Sequence, residues 1–143
     1  MKARIKWVQD RIFVGESGSG HAIVLGSGGG PEGRSLCASP MELVLMGMGG
    51  CTAYDVVHIL DKSREPIEDC VAEVEAERAP TDPKVFTRIH VHFVVKGRKL
   101  DPAKVERAIN LSAEKYCSAS IMLGKTATIT HDFELVDTQP VPA

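Results

Sequence analysis

The chain has 143 residues, 43% hydrophobic and 25% charged, with a formal net charge of −2. This composition suits one globular domain with a sizeable core, and it argues against disorder and against a basic nucleic-acid binder. The four cysteines, Cys37, Cys51, Cys70 and Cys117, have no CxxC spacing, which sets aside a zinc ribbon and a thioredoxin-type motif.

The N-terminus, Met1-Lys2-Ala3-Arg4-Ile5-Lys6-Trp7, is charged and alternating and lacks the apolar centre of a signal peptide. A cytoplasmic location is expected, where a disulfide would be transient and functional rather than structural. Ala3–Val8, Arg11–Gly15 and His21–Leu25 read as a three-stranded meander with a Gly/Ser turn between the last two strands. The loop from Gly26 to Ser35 is rich in glycine but lacks the Gly-Lys-Ser/Thr order of a phosphate-binding loop.

Ser39 opens a helix: serine caps, Pro40 fits the first helical position, and Glu42 completes a capping box three residues on. The pattern predicts a helix to Leu60 or Lys62, apolar on more than one face and therefore central to the fold. Its glycines, Asp55 and His58 make Leu43–Leu60 look too polar and too short for a membrane span. Gly47, Gly49 and Gly50 each cost about 1 kcal/mol relative to alanine in a helix interior. Close approach of another backbone, expected to be a second helix, would offset that.

Ile67–Arg78 alternates as a strand, with Cys70, Ala72, Val74 and Ala76 on one side and Glu73, Glu75 and Glu77 on the other. Val85–Lys96 returns, with Ile89, Val91, Phe93 and Val95 inward and Arg88, His90 and His92 outward. Asp101-Pro102 begins a helix that breaks near Cys117, Ser118–Leu123 forms a short one closed by Gly124, and Ala127–Val136 is the last strand. The expected domain is 1–136 with a loose tail at 137–143. Strands segregated from helices in this order define an α+β fold.

Two cysteines stand out. Cys51, Asp55 and His58 lie at i, i+4 and i+7 on one helix face. A neighbouring carboxylate disfavours a thiolate and a histidine can assist one. Cys117 sits where a helix breaks, and a helix N-terminus lowers a thiol's pKa. Taken alone, Cys51 is better explained as a small buried side chain, whereas for Cys117 that explanation and a functional one stand level. Glu42 is accounted for by its cap. His90 and His92 point to one side of a strand but lack a third ligand, so a solvated face explains them and no metal or cofactor is expected. A non-enzymatic alternative is a binder of small or lipid-like molecules, with Met46, Met48 and Tyr54 lining an apolar pocket, and a thiol sensor is another.

Ser39-Pro40-Met41-Glu42-Leu43 leading to Gly49-Gly50-Cys51-Thr52-Ala53-Tyr54-Asp55-Val56-Val57, followed by Ser112-Ala113-Glu114-Lys115-Tyr116-Cys117-Ser118, resembles the OsmC/Ohr superfamily, in particular its OsmC-like (YhfA-like) branch. The resemblance runs along essentially the whole chain. It implies an intertwined homodimer with strands ordered β-β-β-α-β-β-α-α-β, a long buried central helix and an active site at the subunit interface. It also implies thiol-dependent reduction of organic hydroperoxides; the composition and the Leu43–Leu60 run point to no nucleic-acid or membrane partner. Cys51 would be the peroxidatic thiolate, oxidised to a sulfenic acid, and Cys117 the resolving thiol that closes a disulfide, which a cellular dithiol reduces. Glu42 and Arg11 would activate the thiolate. Three departures accompany this. Glu42 stands one place later than the peroxidase glutamate, with Met41 in its stead, Arg11 is only the nearest match for the arginine, and Ser118-Ala119-Ser120 replaces a Pro-containing turn.

Overall fold

A computed structural model describes residues 1–138. Its elements are β1 (Ala3–Gln9), β2 (Ile12–Ser17), β3 (Ala22–Gly26), α1 (Pro40–Lys62), β4 (Ile67–Arg78), β5 (Phe86–Gly97), α2 (Pro102–Leu111), α3 (Ser118–Leu123) and β6 (Thr128–Asp137). The expected α+β order is present. Asp137 closes β6 rather than opening a tail, and the remainder of the expected tail, from position 139, lies outside the described residues. The chain divides into two compact units, one ending at Leu45 and one beginning at Met46.

In the first unit, β1, β2 and β3 form an antiparallel meander. Gly26 closes it with a φ of +155°. A Cβ there would fall 2.1 Å from the Arg11 carbonyl oxygen, so only glycine fits. Apolar side chains remain open on this sheet, with Ile5 58% and Trp7 61% exposed. The start of α1 is capped as its sequence requires. Ser39 Oγ accepts the Glu42 N–H at 3.2 Å, and Glu42 Oε2 accepts the Ser39 N–H at 2.7 Å.

The second unit holds the rest of α1 and a sheet ordered β4-β5-β6. β4 and β5 pair antiparallel. β6 runs parallel to β5, which demands a crossover, and the helical segment between the two strands supplies it. Val56, Leu60, Ile89, Val91, Phe93, Val95, Val105 and Ile109 are all at most 2% exposed and form the core. Cys70, Ala72, Val74 and Ala76 face inward from β4 and Glu73, Glu75 and Glu77 face outward, as the alternation predicts.

The reason for Gly49 differs from the one expected. A Cβ there would stand 3.0 Å from Val74 Cγ2. The close approach is to a strand side chain rather than to a second helix. Gly47 and Gly50 have nothing within 4 Å of where a Cβ would stand. The expectation that this helix is too short and too polar for a membrane span is also corrected. The 23 residues of α1 include a window of mean hydropathy 1.5, enough by length and composition, of which 28% is buried. A core helix of a globular fold meets the same measure.

Asp101 caps α2 by accepting the Ala103 N–H at 2.9 Å. Glu65, from the turn after α1, accepts the Asp101 N–H at 2.9 Å and pairs with Lys104 at 2.5 Å. The end of α1 is thereby tied to the start of α2.

Candidate functional site

α1 carries Cys51, Thr52 and Asp55 into the second unit. The polypeptide that meets them lies between α2 and α3, and it is not α-helical. Ser112–Tyr116 forms a π-helical turn, with the Cys117 N–H bonded to the Ser112 carbonyl at 2.8 Å. Such turns carry one residue more than an α turn and recur at functional sites. The turn ends in extended backbone at Cys117, the N-cap of α3.

The result is a cluster of two sulfurs and one carboxylate. Cys51 Sγ, Cys117 Sγ and an Asp55 oxygen all lie within 4.8 Å of one another. Cys51 and Asp55 are half-buried, whereas Cys117 is fully buried. Among the described residues this is the only such grouping of His, Cys, Asp and Glu.

Serine and threonine hydroxyls hold the cluster. Ser112 Oγ donates to Asp55 Oδ2 at 3.0 Å. A hydroxyl has one proton, so the contact of 2.9 Å between Ser112 and Thr52 must have Thr52 donating to Ser112. Thr52 and Ser112 are buried at 4% and 0% exposure, which makes the satisfied pair consequential. Cys117 Sγ accepts the Ser120 N–H at 3.4 Å and the Ser120 hydroxyl at 3.0 Å.

These contacts correct the expectation of an acidified Cys117. Burial pushes its thiol up. The two Ser120 hydrogen bonds pull it down, and the adjacent Cys51 pushes it up again, for a net rise. Removing a sulfur from water outweighs its donors.

The other expected site residues lie as follows. Glu42 is engaged by Ser39 in the capping box, whose backbone N–H and hydroxyl hold its carboxyl below the ordinary range. Arg11 is exposed, in the turn between β1 and β2. His58 is not in the cluster. It stacks on Tyr54 with ring centroids 6.1 Å apart and planes 6° apart. Met48 is core at 1% exposure, while Met46 and Tyr54 are 61% and 71% exposed, so the three do not line one pocket. His90 and His92 both meet Asp132 Oδ1, at 3.1 Å and 2.7 Å, and His90 also meets Thr130. Cys70 is half-buried on β4 and its thiol is pushed up, first by burial and then by Asp69.

The i+4 spacing from Cys51 singles out Asp55. Thr52 and Ser112 lie within the two cysteine motifs, but their contact with each other and with Asp55 escapes sequence reading because it is made across the fold. Ser120 reaches Cys117 locally, three residues on, and no expectation gave it that role.

The α+β order and the cysteine-bearing central helix define a family of folds that comparison with known proteins names. Residues 31–132 match the family described as OsmC-like protein. The chain is 49% identical over 136 residues to Protein YhfA of Escherichia coli K12, covering 95% of this chain and 98% of that protein. This chain belongs to the OsmC family. Among solved structures, a hypothetical protein from Aquifex aeolicus superposes with a TM-score of 0.79 at 27% identity, covering 95% and 97% of the two chains. The organic hydroperoxide resistance protein OhrB of Bacillus subtilis shares the fold, with a TM-score of 0.61 at 18% identity over 94% and 98%.

Proposed function

We propose that the chain is a thiol-dependent peroxidase that reduces organic hydroperoxides through Cys51 and Cys117. The observation that carries this reading is the placement of their sulfurs within 4.8 Å, one half-exposed and one buried. The Cys51 sulfur attacks the O–O bond of the hydroperoxide and takes one oxygen, giving a sulfenic acid and an alcohol. Asp55 accepts the thiol proton and returns it to the departing alkoxide. The Cys117 sulfur then attacks the sulfenic sulfur, expelling water and forming a disulfide. A cellular dithiol reduces that bridge and is itself oxidised. Burial keeps Cys117 away from the oxidant until Cys51 has reacted.

Arg11 and Glu42 keep, in this reading, the activating role that the family resemblance gives them. The protein works as a cytoplasmic homodimer. The support is the open apolar face of α1, where Met46, Tyr54 and Val57 are 61%, 71% and 40% exposed and Gly47 and Gly50 leave room for a second backbone. A hydrophobic helix face of that kind requires a cover.

The test is mass spectrometry after one equivalent of an organic hydroperoxide. A Cys51–Cys117 bridge forming at the rate of peroxide loss is the expected result. Peroxide loss without that bridge, or no loss at all, overturns the reading. A second reading, a single-turnover thiol sensor, is favoured by the raised Cys117 thiol. Repeated turnover with a dithiol reductant excludes it.

A further inference from the structure

We propose that in the reduced protein Cys51, Cys117 and Asp55 form a site for a thiophilic divalent cation, zinc in particular, and that metal binding and disulfide formation exclude one another. The inference needs the thiols to be close and reduced, and it does not need the peroxidase reading.

The geometry fits. Three donor atoms no more than 4.8 Å apart place a central point within about 2.8 Å of each, against ~2.3 Å for a zinc–sulfur bond and ~2.0–2.2 Å for zinc–oxygen. A contraction of about 0.5 Å at each sulfur and ~0.6–0.8 Å at the oxygen closes the coordination. The donor set of two sulfurs and one carboxylate oxygen suits a borderline-soft ion that accepts thiolate and oxygen together. Three protein ligands leave the fourth tetrahedral position to water or a small molecule.

The outer contacts are those of a metal site as well. Asp55 is oriented by the Ser112 hydroxyl, and Ser112 is fixed by Thr52. Cys117 Sγ receives an N–H and an O–H from Ser120, donors that stabilise a coordinated thiolate. Groups that hold a ligand in its binding orientation commonly change affinity 10- to 100-fold when removed.

The binding step balances. Two thiols and one divalent cation give a dithiolate complex and two protons, with no change in oxidation state. Oxidation of Cys51 and Cys117 to a disulfide removes two electrons and two of the three ligands, so the ion must leave. Conversely, a bound ion occupies the Cys51 lone pairs that an oxidant must meet. The site would thus hold its thiols in reserve under zinc and release the ion when they oxidise.

The experiment uses the full chain, reduced and stripped of metal, titrated with zinc against a chromophoric chelator. Cobalt(II) serves as a spectroscopic probe for thiolate charge-transfer absorption. The expected result is one ion per chain, two protons released, and slower alkylation of Cys51 in the zinc-loaded protein. Affinity should fall more than 100-fold in Cys51→Ser. It should fall roughly 10- to 100-fold in Ser120→Ala, which keeps all three ligands but removes an outer donor. Because Cys117→Ser alters a buried position, Asp55→Asn serves as the variant that keeps both sulfurs. It should weaken zinc while leaving the thiols titratable by a disulfide reagent. The proposal is overturned by no binding, by affinity unchanged in Cys51→Ser or Asp55→Asn, by binding that survives oxidation to the disulfide, or by loss of binding in His92→Ala instead. No peroxide enters these measurements, so failure of the peroxidase reading and failure of this one are separable.

Discussion

The hydroxyl of Ser112 donates to the carboxylate of Asp55 at 3.0 Å while its carbonyl accepts the N–H of Cys117 at 2.8 Å. One residue therefore sets the orientation of the carboxylate on α1 and the position of the second sulfur. Ser112→Ala removes the hydroxyl and leaves Thr52 and Asp55 each short of a buried partner. The expected loss of stability is about 1–3 kcal/mol, read from urea unfolding. A change below the precision of that measurement would show that solvent replaces the contact.

The two thiols differ in what their loss does. In Cys51→Ser, hydroperoxide-dependent consumption of a dithiol should fall to background. In Cys117→Ser, one equivalent of peroxide should still be consumed and Cys51 should be trapped as a sulfenic acid by dimedone, with turnover lost. Wild-type turnover retained in both variants would remove the basis of the two-thiol cycle.

The glycines of α1 separate by environment. Gly49→Ala pushes a methyl against Val74 Cγ2 at 3.0 Å. Overpacking of this kind costs about 1–3 kcal/mol, partly offset by about 1 kcal/mol of helix propensity. Chemical denaturation of the two variants side by side should show Gly49→Ala less stable than Gly47→Ala.

The exposed helix face predicts an assembly. Val57→Glu places a charge on the apolar stripe of α1 and should convert a dimer to monomer in size-exclusion chromatography with light scattering. Circular dichroism should keep its helical signal. A wild-type chain that is monomeric at every concentration would refute the cover proposed for that face.

The outer face of the second sheet has its own pH dependence. Asp132 raises the pKa of His92 through their hydrogen bond, ahead of the burial that lowers it, and His92 in turn lowers that of Asp132. A folded-state histidine value above the unfolded one contributes stability that is fully present below the unfolded pKa. That stability is lost as pH rises through the folded pKa. The lowered Asp132 acts in the opposite sense: its share is present above the unfolded carboxylate value and disappears as pH falls through the folded one. The pair contributes most between the two titrations. Imidazole NMR should place His92 above the ordinary value of about 6.5, and Asp132→Asn should bring it down.

Much of this architecture is written locally. Ser39-Pro40 with Glu42, and Asp101-Pro102, announce their helices because a cap and a fixed φ act within a few residues. The period-two alternation of β4 and β5 names the inward side chains correctly for the same reason. Cys51 and Cys117 stand out in the sequence through their motifs, and Asp55 through its helical spacing. The network that joins them does not. Ser112 meets Asp55 and Thr52 only because the chain crosses over to β6, and serine at a helix end gives no sign of such a partner. For Cys117 the helix start, a local feature, is visible in sequence, while the burial that raises its thiol is not. The same holds for Gly49, whose neighbour is decided by how α1 lies on β4.

The π-helical turn at Ser112–Tyr116 makes the spacing between α2 and α3 a counted quantity. Deleting one residue from it would restore an ordinary α register and rotate everything beyond by about 100° around the helix axis. The downstream sulfur would swing off the side that faces α1, although every hydrophobic position of α2 stayed in place. Length, more than composition, is what this segment must preserve, and a natural or engineered variant that is one residue shorter here should fold yet lose the partnership between its thiols.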